Sequence, residues 1–178
     1  VDIRDYRLDA LRTMIQPIQQ DVFLFSDTVR ANIALGREIS EPELERISSM
    51  VQASTFVERL PHQYETMLTE GATNISTGQR QLLSFARILA HDPRVIIMDE
   101  ATANIDTETE QLIQKAVATV MQNRTALVIA HRLSTIKHAD RILVLAQGEL
   151  VEQGTHDELI AEGGIYYNLY RLQYQEAT

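Results

Sequence analysis

Apolar positions recur along this chain at two spacings, and the change from one to the other divides it. After Ser40-Glu41-Pro42-Glu43, the residues Leu44, Ile47, Met50 and Val51 fall three or four apart, which predicts a helix. The four residues before it predict its start: a serine with a glutamate three places on is a capping box, and proline suits a first turn. A second short helix is expected around Thr55 to Leu60, ended by Pro61. Residues 79–91 predict another, with Leu82, Leu83, Phe85, Ala86, Leu89 and Ala90 on its apolar side and Asp92-Pro93 as the stop.

The spacing then changes. Val95 to Met98 is a continuous apolar run, which suits a strand buried on both faces. Thr107-Glu108-Thr109-Glu110 reads as a second capping box, followed by Leu112, Ile113, Ala116, Val117, Val120 and Met121 on one helical face. Thr125 to Ala130 reads as a second buried strand and Leu133 to His138 as a short helix. Arg141 to Leu145 and Glu149 to Glu152 read as strands around a Gln147-Gly148 turn. Thr155-His156-Asp157-Glu158 caps a further helix, and His156 reads as a residue of that cap with no chemistry of its own. Ile165 to Gln175 predicts a last helix, with Tyr166, Tyr167, Tyr170 and Tyr174 as the aromatic side that packs on the core. Strands alternating with helices from Val95 onward predict an α/β fold with a parallel sheet. Residues 21–93 lack that rhythm and read as a mainly helical insertion carried by it.

Composition changes this picture little. The chain has 178 residues, 44% hydrophobic and 23% charged, which suits one domain or a domain with a small subdomain. A net charge of −9 and the lack of any basic run argue against a nucleic-acid partner. The absence of cysteine excludes disulfides, thiolate metal sites and cysteine nucleophiles. No apolar run approaches the roughly 20 residues that span a bilayer, and no signal peptide or internal repeat is visible. The chain begins Val-Asp-Ile-Arg without a methionine, so a start in mid-domain is expected.

Charge at the strand ends brings in candidate chemistry. Open α/β sheets place their sites beyond the carboxyl ends of their strands. Asp99 and Glu100 follow the first apolar strand: two adjacent carboxylates there can hold a hydrated Mg²⁺ and polarise a water, or cap a loop. His131 follows the second: it can touch a phosphate or an attacking water, or be an ordinary hydrogen-bonded histidine. Ser76-Thr77-Gly78-Gln79 opens the helix over 79–91. Its free N–H groups and partial positive charge suit a phosphate, and a plain serine N-cap is the other reading.

Gln20 with Phe23-Leu24-Phe25, then ISTGQRQ, IIMDEATANID and VIAHRLSTI form one ordered series, and in that order the chain resembles the nucleotide-binding domain of ATP-binding cassette (ABC) transporters. It looks closest to exporters of lipids or hydrophobic drugs, and LFSDTVRANIALG and AHRLSTI carry that likeness. The resemblance spans essentially the whole chain, from VDIRDYRLDALR to THDELIAEGGIYYNLY. It implies one partial cassette domain over 1–178, with a helical signature subdomain at 21–93 and an α/β core of the P-loop type at 1–20 and 94–178. It implies ATP and Mg²⁺ as ligands. Asp99 would help hold Mg²⁺ through water, and Glu100 would orient the hydrolytic water. His131 would sense the γ-phosphate, and Gln20 would contact Mg²⁺ or water while linking the site to the membrane domain. Ile75, Ser76, Thr77, Gly78 and Gln79 would form the signature that closes over a nucleotide held by a partner domain. Ala103-Asn104-Ile105-Asp106 would be the loop that speaks across that dimer.

The implied partners are a second nucleotide-binding domain, facing head to tail, and a transmembrane domain on which the helical segment after Gln20 docks. The implied location is the cytoplasmic face of the membrane. Three departures from the family pattern stand out. Ile75 and Thr77 replace a leucine and a glycine of the common signature, and Ala103 replaces a frequent serine. No G-x-x-x-x-G-K-[ST] phosphate loop occurs, so the chain reads as the C-terminal part of a cassette, expected to bind little ATP alone and to leave a sheet edge unpaired. A chromosome-maintenance ATPase of the same superfamily is a competing expectation. It would need a long coiled coil and basic surfaces that this chain lacks. A non-catalytic cassette is another, against which the presence of Glu100 and His131 speaks.

Overall fold

The computed structural model describes residues 2–19, 22–99, 107–130 and 136–176, with backbone alone at 107, 108 and 173–176. It divides into two compact units, Val1–Ile129 and Ala130–Thr178. The predicted loop from Ala103 to Asp106 and the first half of the predicted helix over Leu133 to His138 lie outside the described residues.

In the first unit, helix α1 (Leu8–Met14) leads into strand β1 (Ile15–Ile18), and helices α2 (Val29–Ala34), α3 (Glu41–Met50), α4 (Ser54–Val57) and α5 (Thr77–His91) follow. Strand β2 (Val95–Asp99), helix α6 (Thr107–Met121) and strand β3 (Thr125–Ile129) complete it. The three strands form one parallel sheet in the order β1-β2-β3, with Ile15 opposite Val95 and Val95 opposite Thr125. The expected parallel α/β core is therefore present. β1 carries Pro17, which a ladder tolerates only at an edge, and β1 is an edge strand here.

The core explains the helices. Ile113, Ala116, Val117 and Val120 of α6 are buried at the three-and-four spacing of one helical face. α5 buries Leu82, Leu83, Phe85, Ala86, Ile88, Leu89 and Ala90, so it is a core helix with apolar residues around most of its circumference. Leu44 and Ile47 of α3, Val29 and Ile33 of α2, and Ile96 and Met98 of β2 join the same cluster. Asp92 ends α5 in the left-handed region at φ 46°. Its Oδ1 accepts from Arg124 Nη2 at 2.6 Å, and Arg124 also donates to the carbonyls of Pro93 and Val120, tying the end of α6 to the turn that starts β2.

Three expectations are corrected. Ser40 caps α3 with its backbone only. The glutamate meant for its capping box, Glu43, is drawn to Arg37 instead. The apolar strands are not buried on both faces: in β2 only Ile96 and Met98 are buried, while Val95 and Ile97 are half-buried. In β3, Leu127 and Ile129 are 52% and 53% exposed, and β3 is an edge strand of the sheet among the described residues.

In the second unit, strands β4 (Ile142–Ala146) and β5 (Glu149–Gly154) form the expected hairpin, antiparallel rather than part of the parallel sheet. Gln147 and Gly148 both take positive φ, as a two-residue turn of the primed type requires. Helix α7 (His156–Glu162) starts from the expected Thr155/Glu158 capping box. Helix α8 (Ile165–Glu176) is capped by Glu152 of β5, whose carboxylate accepts from the N–H groups of Ile165 and Tyr166 at 2.5 and 3.0 Å. A Cβ on Gly164 would collide with that carboxylate. Tyr166 is buried and meets His156, whose Nδ1 lies 2.7 Å from the tyrosine hydroxyl, so His156 does more than occupy a cap.

Candidate functional site

Two places in the first unit hold the described residues among those singled out by sequence. The first is the carboxyl edge of the parallel sheet. There Ile18 pairs with Met98, and Asp99 with Ile129, so three strands end side by side. Asp99 is exposed, and its carboxylate makes no hydrogen bond or ion pair among the described residues. Gln20, Glu100 and His131 follow these strand ends within two residues of chain and lie outside the described residues, as does Asp106. Among the described residues no three His, Cys, Asp or Glu side chains gather into a metal cage. A single open carboxylate nevertheless fits Mg²⁺, which keeps most of its waters and takes one or two protein carboxylates plus phosphate oxygens.

The second place is the start of α5. Ile75 is buried in the core and fixes the chain as it enters the helix. Ser76 is the N-cap: its Oγ accepts from Gln79 N at 3.2 Å, and Gln79 Oε1 accepts from Ser76 N at 2.9 Å. This is a complete capping box, so the serine-cap reading of Ser76 holds in this structure, with the glutamine as its partner. The helix starts at Thr77, two residues before the predicted start. Thr77 Oγ1 accepts from Arg80 Nη2 at 2.9 Å, which gives the residue standing in place of the family's glycine a local partner. Gly78 is buried. Among the described residues, no hydrogen bond or ion pair joins Ser76–Gln79 to Asp99.

Sequence reasoning missed the support of the segment after Gln20. Asn32 of α2 is 1% exposed and works as a clamp. Its Nδ2 donates to the carbonyls of Phe25 and Thr28, both at 3.0 Å, and its Oδ1 accepts from Phe25 N at 2.8 Å. Arg87 of α5 donates to the same segment. The clamp leaves Phe23 and Phe25 edge-to-face, 5.0 Å between ring centroids, and 64% and 51% exposed. Phe25 also lines a groove of about 650 Å³ with Thr28, Arg30, Ala34, Leu35 and Ile39. The carboxylates of Glu65 and Glu41 hold the Arg30 guanidinium above its ordinary pKa. The only sequence signal for the clamp was an arginine inside the apolar run Ser84 to Ala90.

The family model described as ABC transporter matches residues 1–103. An ATP-dependent lipid A-core flippase of Desulfotalea psychrophila is 48% identical over 173 residues, 97% of this chain and 30% of its own length. YknV of Bacillus subtilis, an uncharacterized ABC transporter ATP-binding protein, is 49% identical over 178 residues, 99% of this chain and 30% of its own length. The chain thus spans about 30% of the length of the curated relatives it matches. Among solved structures, a bacterial Atm1-family ABC exporter with ATP bound superposes with a TM-score of 0.82 and 40% identity, over 93% of this chain and 29% of that one.

Proposed function

This chain belongs to the ABC transporter family, and from that premise we propose that it is part of the ATP-binding and hydrolysing domain of an exporter for a lipid or hydrophobic drug-like substrate. The observation that carries the proposal is the parallel register. Three neighbouring strands end at one edge, one of them on Asp99, whose carboxylate is open, and in sequence Gln20, Glu100 and His131 follow those ends within two residues. Phosphoryl transfer needs placement and charge neutralisation more than covalent help, and this set suits both.

In this reading Glu100 is the base that orients the attacking water, and His131 contacts the γ-phosphate. Asp99 and Gln20 hold Mg²⁺, which when bound neutralises charge on the phosphate oxygens. Ser76, Gly78 and Gln79, flanked by Ile75 and Thr77, meet the nucleotide of a second domain facing head to tail, and Asp106 lies in the loop that contacts that domain. The fully capped start of α5 supports this role, since it holds the first-turn N–H groups in place. In this reading the exposed Phe23 and Phe25 and the adjacent groove meet a transmembrane domain, with the nucleotide-binding domain on the cytoplasmic side of the membrane. Among the described residues no helix is long and apolar enough to cross one itself.

The test is Glu100→Gln in the full-length transporter. Turnover should fall by about 10²-fold or more, the scale of a positioned base, with ATP affinity retained. Turnover at the wild-type rate would remove Glu100 from the role and this reading with it.

A further inference from the structure

Arg87 lies in the third turn of a helix that is otherwise apolar around most of its circumference. Its guanidinium has no carboxylate partner among the described residues. Nε donates to the carbonyl of Asn32 at 2.9 Å, Nη1 to the carbonyl of Phe23 at 3.1 Å, and Nη2 to Asn32 Oδ1 at 3.4 Å. Burial pushes its pKa below the ordinary arginine value. A methionine or leucine would fill the same space without that desolvation cost, so packing does not explain an arginine here. What only arginine supplies is a planar fork with several donors at fixed angles.

The fork reaches across 64 residues of sequence to Phe23 and 55 to Asn32. Asn32 in turn spends its remaining capacity on Phe25 and Thr28. The buried Asn32 and the half-buried Arg87 therefore fix the backbone of the segment between Gln20 and α2 at three residues. The other end of this linkage is rigid as well. Arg87 stands ten residues beyond Thr77, about 15 Å along one unbroken helix whose first turn carries Ser76 to Gln79.

We propose that Arg87, acting with Asn32, is a positioning residue that makes the Phe23–Thr28 segment and helix α5 one mechanical body, so that a displacement imposed at Phe23 and Phe25 reaches the Ser76–Gln79 turn. This rests on the reading that those two places contact a membrane domain and a nucleotide. Arg87 touches neither. It acts by preventing the aromatic segment from moving independently of the helix.

The experiment uses the full-length transporter in detergent micelles, comparing wild type with Arg87→Met, Arg87→Lys and Asn32→Ala by hydrogen exchange and by ATP turnover. Arg87→Met should speed exchange over residues 22–28 by about tenfold, the scale of one or two lost hydrogen bonds, with α3 and α6 protected as in wild type. It should lower kcat severalfold with KM for ATP within about twofold, because the interaction acts on closure and not on nucleotide binding. Arg87→Lys, which keeps the charge and loses the fork, should fall between. Unchanged exchange over 22–28, or a rise spread equally over α3 and α6, overturns the proposal. If Arg87→Met does not fold, Asn32→Ala removes the arm of the linkage that ends on Phe25 and Thr28 while the Arg87 bonds to the Asn32 and Phe23 carbonyls remain, and the same two outcomes, read over residues 25–28, decide. Glu100→Gln keeps the questions apart: a dead Glu100→Gln with unchanged exchange in Arg87→Met sinks the linkage alone, whereas an active Glu100→Gln sinks the functional reading.

Discussion

Helices α5 and α7 begin with the same hydrogen-bonding device and differ in one atom type. At α5, Ser76 and Gln79 exchange hydrogen bonds; at α7, Thr155 and Glu158 do the same, with Glu158 Oε2 accepting from Thr155 N at 2.8 Å. Both boxes satisfy two N–H groups that a helix start leaves free. The α7 box also brings a full negative charge to the positive end of the helix. The α5 box is closed by a neutral amide, so the field of the helix start is left for something else. Capping geometry alone therefore does not separate a structural helix start from one with the role proposed for α5; on that proposal, the charge of the third residue is what differs between them.

The largest effect expected from breaking this difference is in Gln79→Glu. Glutamate can keep the box, so folding should be as stable as in wild type. It also puts a carboxylate where the partner's phosphate would approach. ATP turnover of the full-length transporter should fall by about tenfold or more, the scale of an unfavourable charge in a desolvated site. Turnover at the wild-type rate in that variant would break the comparison. Ser76→Ala comes next. Losing an N-cap side chain should cost about 1 kcal/mol, read as a lower denaturant midpoint with an unchanged slope. A midpoint equal to wild type would show that the α5 box contributes nothing to folding.

The smallest effect is the most selective. Hydrogen bonds from the Thr155 backbone and hydroxyl hold the Glu158 carboxyl below the usual carboxylate range. Its contribution is fully present above the unfolded pKa and is lost as pH falls through the lowered folded value. The α5 box has no titrating member. On acidification, hydrogen exchange at the first turn of α7 should rise before that at the first turn of α5, and Glu158→Gln should remove the difference. Equal responses in wild type would show that the two caps are electrostatically alike.

Much of this was legible in sequence, for reasons that differ by element. α5, α6 and the β4–β5 hairpin could be read because each has a strong period and a stop signal: Asp92-Pro93 for α5 and Gln147-Gly148 for the hairpin. β1 could not, because it is short, carries Pro17, and owes its existence to pairing with β2 far along the chain. The Ser40 box failed because Arg37, just ahead of the helix, pairs with its one glutamate, Glu43, a competition that the capping pattern by itself does not register. Asp99 and the Ile75–Gln79 turn were found through motif order. Asn32 and Arg87 escaped because their partners are mostly backbone carbonyls, which leave no trace in residue identity.

The register of the sheet also has a consequence for biosynthesis. Ile15 pairs with Val95, eighty residues further on, and all of α2 to α5 lies between them. At about 5–20 residues per second, β1 leaves the ribosome roughly 4–16 seconds before its partner strand exists. Through that interval α2 to α5 can already bury Val29, Ile33, Leu44, Ile47, Leu82 and Leu83 against one another. The helical region is then the part able to collapse while the chain is still being made, and its collapse shortens the loop that β1 and β2 must close.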